Sequence, residues 1–216
     1  MLFRSPGARE NEIRRQFGLA GRFVVLYIGA HGISHALSAV LDAAAQIADR
    51  EVVFAFVGEG AEKAMLVRRA AEKGLANVRF YPGQAKALMP QWYAAADVAL
   101  VPLRNIPLFE TFIPSKMFEI LAAARPVIGS VKGEARRILE QSGAAMLIDP
   151  EDSAGIAAAV RHLKADPALR EQLGEHGRRF VLAEYDRRQL AARYARLLEG
   201  LTIGPPRTSA RPAAVS

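Results

Sequence analysis

Six short runs, apolar throughout except for Arg79 in the third, recur along this chain, and they constrain its fold more than any other feature. They are Phe23–Ile28, Val52–Val57, Val78–Tyr81, Val98–Val101, Pro126–Gly129 and Ala145–Ile148. The first two stop at Gly29 and Gly58, the third at Pro82-Gly83, and the fourth at Pro102. Continuous apolar runs of this length, rich in Val, Ile and Phe, are what a parallel strand covered on both faces requires. Stripes at helical spacing lie among them: Leu37, Val40, Leu41, Ala44, Ala45 and Ala48; then Ala64, Leu66, Val67, Ala70 and Ala71; then Met117, Ile120, Leu121 and Ala124. Residues 134–142, 152–164, 167–183 and 187–199 carry the same three- and four-residue spacing. The alternation predicts βαβ units in an α/β, doubly wound, Rossmann-like parallel sheet of about six strands. Right-handed crossovers then place helices on both faces.

With 216 residues, the chain is about one domain. Hydrophobic residues make up 51% and charged residues 24%, enough apolar material for a core without staples. There is no cysteine. That excludes disulfide frameworks, thiolate metal sites and cysteine nucleophiles, and a reducing compartment, the cytoplasm, is the expected location. No apolar run approaches the ~18 residues of a membrane span. The formal net charge of +7 is unevenly placed. Residues 1–22 carry +3, residues 161–216 carry +5, and the stretch between carries −1. Aromatic residues are 7%, and no nucleic-acid fingerprint accompanies the charge, so nucleic acid is not an expected partner. Arg68-Arg69, Arg136-Arg137, Arg178-Arg179 and Arg187-Arg188 fall in helical patterns and read as solvated faces.

Three segments are expected. Residues 1–22 read as an interdomain-linker-like segment with a short amphipathic helix from Asn11 to Phe17. Residues 23–200 form the sheet domain. Residues 201–216, proline-rich and with Val215 the one large apolar side chain beyond Gly204, read as a disordered tail.

In an open parallel sheet, ligands bind beyond the carboxyl ends of the strands. Gly29-Ala30-His31-Gly32-Ile33-Ser34-His35 follows the first run, Gly58-Glu59-Gly60 the second, and Pro82-Gly83-Gln84 the third. Glycines there allow close backbone approach, and the following helix offers free N–H groups to an anion. A plain βα turn explains the first motif equally well, glycines like those of the second are common in doubly wound sheets, and the third by itself reads as a turn. None is a dinucleotide fingerprint or a P-loop. The connection from Pro102 to Glu119 is more informative, because long loops inside compact domains are usually functional. Pro114-Ser115 marks a helix start, where Ser115 and Lys116 together make a candidate anion site. Glu119 stands one turn further on, placed to accept hydrogen bonds from a diol. It reads equally as a favourable acidic residue in a first helical turn.

In their order and spacing, these motifs resemble the C-terminal, donor-binding domain of GT-B glycosyltransferases of retaining family 4, closest to the branch that builds bacterial surface polysaccharides. The matching segments are Tyr27–Gly32, Phe56–Gly60, Asn77–Gly83, Tyr93–Val98, Ile113–Glu119 and Arg125–Ile128, with Gly143. The resemblance implies one half of a GT-B fold that binds a nucleotide sugar, UDP- or GDP-linked, with no metal. Gly29, His31, Gly32, Gly58, Glu59, Gly83, Gln84, Thr111, Pro114, Ser115, Lys116 and Glu119 are then the donor-binding positions, with Glu119 on the ribose hydroxyls and Gly83-Gln84 facing the base. Two departures stand out. The family carries a first Glu at the position of Thr111, and Glu110 is one residue out of register. The family also carries Arg and Lys after the first strand, where this chain has His31, Ser34 and His35. Lys116 is the candidate for the missing charge and for stabilising the leaving diphosphate.

The resemblance further implies an N-terminal acceptor-binding domain preceding this one. Without that domain the chain is expected to transfer nothing by itself, and a homodimer is a second way to cover the exposed apolar surface. The basic ends suggest peripheral contact with an anionic inner membrane face, where lipid-linked acceptors reside. A non-catalytic nucleotide-binding or assembly module with a degenerate donor site is the alternative reading, and the Thr111 replacement favours it.

Overall fold

The computed structural model describes residues 11–202. Six parallel strands form one sheet: β1 (Phe23–Ile28), β2 (Val52–Val57), β3 (Val78–Tyr81), β4 (Val98–Pro102), β5 (Val127–Ser130) and β6 (Ala145–Ile148). The spatial order is β3-β2-β1-β4-β5-β6, so strand order reverses between β1 and β4. β1 pairs with β2 from Phe23↔Val52 to Ile28↔Val57, and with β4 through Val25↔Val98 and Leu26↔Ala99. The expected architecture is the observed one.

The two-residue period of a strand divides β1 between two cores. Val24, Leu26 and Ile28 face one side, where α1 (Glu12–Gln16), α4 (Met89–Ala95), α5 (Lys116–Ala122), α6 (Gly133–Ser142) and the later part of α8 (Pro167–Glu184) pack. Phe23, Val25 and Tyr27 face the other, against α2 (Leu37–Ala45), α3 (Lys63–Glu72), α7 (Ser153–Ala165) and the start of α8. Each helix turns its apolar stripe to the sheet: Leu37, Val40 and Leu41 in α2 and Ile156, Val160 and Leu163 in α7 are fully buried. A last helix, α9 (Arg187–Thr202), carries exposed Leu190, Tyr194, Leu197 and Leu198. No helix among the described residues is long and apolar enough to cross a membrane.

Residue 22 is not a packing boundary. Asn11 caps α1 by accepting from the Arg14 N–H, and Ile13 and Leu19 are buried in the sheet domain's core. Arg14 reaches under β1: its Nη2 lies 2.6 Å from Asp97 Oδ2, and its Nε donates to the Ala95 carbonyl. Residues 11–22 therefore pack as part of the domain, because a buried arginine needs its partners there. Residues 1–10 and most of the expected tail lie outside the described residues, although 201 and 202 continue α9. A second difference lies between β3 and β4. Apolar spacing assigns no helix there, yet α4 forms, with Pro90 in its first turn and Trp92 and Tyr93 fully buried.

Candidate functional site

The connections after β1 and β2 are zipped together beyond the ends of their strands. Gly29 N–H donates to the Val57 carbonyl and His31 N–H to the Glu59 carbonyl. Gly58 presses so closely on this pair that a Cβ added to it would stand 2.0 Å from the Gly29 carbonyl oxygen, at a φ of +144°. Glycine at 58 is thus required by backbone packing. Gly29 has a different neighbour: a Cβ there would stand 3.0 Å from Lys116 Nζ. Gly32 has open space beside it.

Lys116 enters from the first turn of α5 and closes over the end of β1. Its stem is partly exposed, but Nζ is buried with no hydrogen-bond partner among the described residues. The ammonium lies 4.0 Å from the centroid of the Tyr27 ring. Loss of hydration lowers the Lys116 pKa from 10.5 to about 7. Tyr27 donates to the Ala30 carbonyl at 2.6 Å, and burial raises its phenol well above the ordinary range. His31 is wholly buried among Tyr27, Phe56 and Phe80, and neither ring nitrogen has a partner among the described residues. Burial first, then the nearby Lys63 charge, lowers its pKa to about 4. His35 is lowered to about 4 by burial and by Lys116. Both imidazoles are neutral at pH 7, so Lys116 is the titrating cation at this face. A site built this way, with one partly dehydrated ammonium beside exposed backbone at the sheet's switch point, is suited to an anion.

Glu119 follows one turn along α5, and Tyr93 from α4 donates to its Oε2 at 2.9 Å. Tyr93 escaped the sequence reading because α4 did; its one signal was membership of the Tyr93–Val98 motif. Glu59 is exposed and sits 2.8 Å from Lys63 Nζ, and it also accepts from the Gly83 N–H at 3.2 Å. That contact joins the loops after β2 and β3. Gln84 turns its side-chain amide to the Pro82 carbonyl on the exposed surface. Pro114 is buried, while Ser115 is exposed and makes no side-chain cap for the seven-residue α5. Thr111 is exposed and bonds its own turn, through the Leu108 carbonyl. Around it Ile106, Leu108, Phe112 and Ile113 are exposed. Among the described residues no group of three His, Asp or Glu side chains is placed to hold a metal ion.

A family model described as glycosyl transferases group 1 matches residues 9–180. The chain belongs to that family. It is 30% identical over 155 residues to WcaI of Escherichia coli strain K12, named for colanic acid biosynthesis, covering 69% of this chain and 37% of that protein. It is 32% identical over 176 residues to the D-inositol 3-phosphate glycosyltransferase of Thermomonospora curvata, covering 76% of this chain and 40% of that one. The chain thus spans about two fifths of the length of these relatives. Among solved structures, Anabaena HepE in complex with UDP superposes with a TM-score of 0.80 at 20% identity, over 92% of this chain and 54% of that one. The C-terminal domain of LpcC from Francisella tularensis superposes with a TM-score of 0.72 at 19% identity, over 86% of this chain and 97% of that one. This group 1 glycosyltransferase domain therefore has the Rossmann-like fold of GT-B enzymes.

Proposed function

We propose that this chain is the donor-binding half of a retaining glycosyltransferase. It binds a UDP- or GDP-linked sugar beyond the carboxyl ends of β1 and β4. The observation that carries the reading is the buried Lys116 ammonium against Gly29, with no hydrogen-bond partner among the described residues, at the point where strand order reverses. An arriving diphosphate supplies the countercharge that Lys116 lacks, and draws its pKa back up. Charge that builds on the diphosphate as the glycosidic bond breaks meets the same ammonium, which is already positioned. Glu119 accepts from the ribose hydroxyls, and the Gly83-Gln84 turn faces the base. The acceptor, a glycan or lipid-linked saccharide of surface polysaccharide synthesis, is bound by a second domain. Transfer needs both walls of that cleft to position the reactants and exclude water, so this domain by itself binds donor and transfers nothing.

The names of the relatives support the polysaccharide setting, and the UDP held by the HepE structure supports a nucleotide ligand. The test is calorimetric titration with UDP, GDP and their sugars. The expected result is binding that Lys116→Ala and Glu119→Ala each weaken at least tenfold. No heat and no thermal shift with any of these ligands overturns the site. Wild-type affinity in both variants overturns the residue roles.

A second reading is a non-catalytic nucleotide-binding or assembly module. The Thr111 side chain favours it, because the family's first Glu has no equivalent there and Thr111 bonds the Leu108 carbonyl of its own turn. Joining the domain to an acceptor domain and assaying sugar transfer separates the two readings. Peripheral attachment to an anionic membrane and self-association of the domain are tested by liposome co-sedimentation and by sedimentation velocity.

A further inference from the structure

We infer that Tyr93 is a positioning residue for ribose recognition, holding Glu119 so that one carboxylate oxygen points to a vicinal diol. The inference rests on the donor-site reading above and extends it to a residue outside the loops that form the site. Tyr93 is 1% exposed, and its hydroxyl is 2.9 Å from Glu119 Oε2. It lies on α4, and its ring is buried in the same core cluster as Met117 and Ile120 of α5. Glu119 is only half-buried, on the first turn of a seven-residue helix, and Tyr93 is the one described residue that its carboxylate accepts from. A glutamate there has three rotatable side-chain bonds. The fixed phenol removes most of that freedom, and the entropy of ordering it is met when the protein folds instead of when the nucleotide binds.

The donor also decides which oxygen remains. With Oε2 engaged by Tyr93, Oε1 carries no hydrogen bond from a described residue and is left for the ligand. A carboxylate has lone pairs enough for both, so the phenol and a diol do not compete. Burial and the facing carboxylate raise the Tyr93 phenol well above the ordinary tyrosine range, so it remains a donor at any working pH.

The experiment compares UDP with 2′,3′-dideoxy-UDP, and GDP with 2′,3′-dideoxy-GDP, by calorimetry on the wild-type domain, Tyr93→Phe and Glu119→Ala. Hydrogen bonds to a charged group set the expected wild-type preference for the hydroxylated nucleotide at about 10- to 100-fold. Tyr93→Phe keeps the ring and its packing. We expect it to reduce that preference at least threefold, with affinity for the dideoxy nucleotide unchanged. A merely structural role for Tyr93 weakens both nucleotides equally, and that result overturns the inference. A preference lost in Glu119→Ala but intact in Tyr93→Phe also overturns it, while leaving the donor-site reading in place. A preference intact in both variants overturns the role given to Glu119 and this inference with it, and no nucleotide binding at all overturns the donor-site reading as well.

Discussion

Lys116 and Tyr27 meet ammonium to ring face, 4.0 Å from nitrogen to centroid, where the first strand of the sheet ends. The contact joins the loop side of β1 to the start of α5, the two elements that flank the reversal of strand order. The ring favours the charged form by about 1 to 2 kcal/mol. Lost hydration outweighs that, and the Lys116 pKa falls to about 7. The site thus holds a cation at some cost, which an anionic ligand would relieve.

If the proposed donor site is right, nucleotide binding should be linked to proton uptake. With the free site titrating at about 7, a diphosphate selects the protonated form. Above pH 7 the domain takes up a proton on binding, and affinity falls as pH rises, by up to about tenfold per pH unit. Titrations with UDP at pH 8 in buffers of different ionisation enthalpy should give different heats. Lys116→Met should remove both the buffer dependence and the pH slope. A wild-type affinity that is flat from pH 6.5 to 9 contradicts the role given to Lys116.

The same residue should cost stability. Unfolded, Lys116 titrates at its ordinary value of 10.5; folded, at about 7. Between those values the unfolded chain binds more protons, so stability rises with pH across the window. Below pH 7 both states are protonated, and the folded state bears the whole cost of the buried charge. Lys116→Met should raise stability by about 1 to 4 kcal/mol at pH 6.5. The gain should shrink toward pH 10. Urea denaturation at the two pH values measures it, and a destabilised variant at pH 6.5 contradicts the account.

Much of the fold was legible because parallel strands buried on both faces must be continuously apolar, and Phe23–Ile28 and Val52–Val57 are. The loop motifs were legible for a similar reason, since only glycine fits at 58. Two things were not. α4 is short, begins with proline in its first turn and is buried on several sides, so no amphipathic stripe marks it. With it went Tyr93 and its bond to Glu119. The placement of Arg14 was hidden too, because a buried arginine looks like any surface arginine until its partner across the fold is known. Pairs such as Lys116–Tyr27 and Tyr93–Glu119 are products of topology, which brings distant positions together without a local signature.

Two neighbouring glycines should respond in opposite ways to substitution. At Gly58 an added methyl meets the Gly29 carbonyl at 2.0 Å, with φ at +144°. The backbone must shift or the connection between the β1 and β2 loops must open. Gly58→Ala is expected to cost about 3 kcal/mol or more and to weaken UDP binding, because it moves Gly29 away from Lys116. At Gly32 nothing lies within 4 Å, and φ is an ordinary −112°. Gly32→Ala should change stability by less than about 1 kcal/mol. Thermal melts of the two variants, with and without UDP, distinguish a packing glycine from a permissive one.

The segment preceding β1 should be indispensable to the sheet domain. Arg14 donates to the Ala95 and Arg22 carbonyls and pairs with Asp97 at 2.6 Å, with both side chains almost completely buried. The same Asp97 oxygen accepts from the Val24 N–H at 2.8 Å, so the pair fixes the start of β1 against the entry to β4. Removing either partner breaks a buried ion pair, which costs about 3 to 5 kcal/mol, a large share of the stability of an ordinary domain. Arg14→Leu and Asp97→Asn should each lower the melting temperature by roughly 10 °C. Because each single change already breaks the pair, the double variant should lose much less than the summed losses. A chain begun at residue 23 should lose the pair together with the buried Ile13 and Leu19, and should fail to unfold cooperatively in urea. Additive single losses, or a stable chain begun at residue 23, would show that this segment only leans on the domain and does not help to hold it.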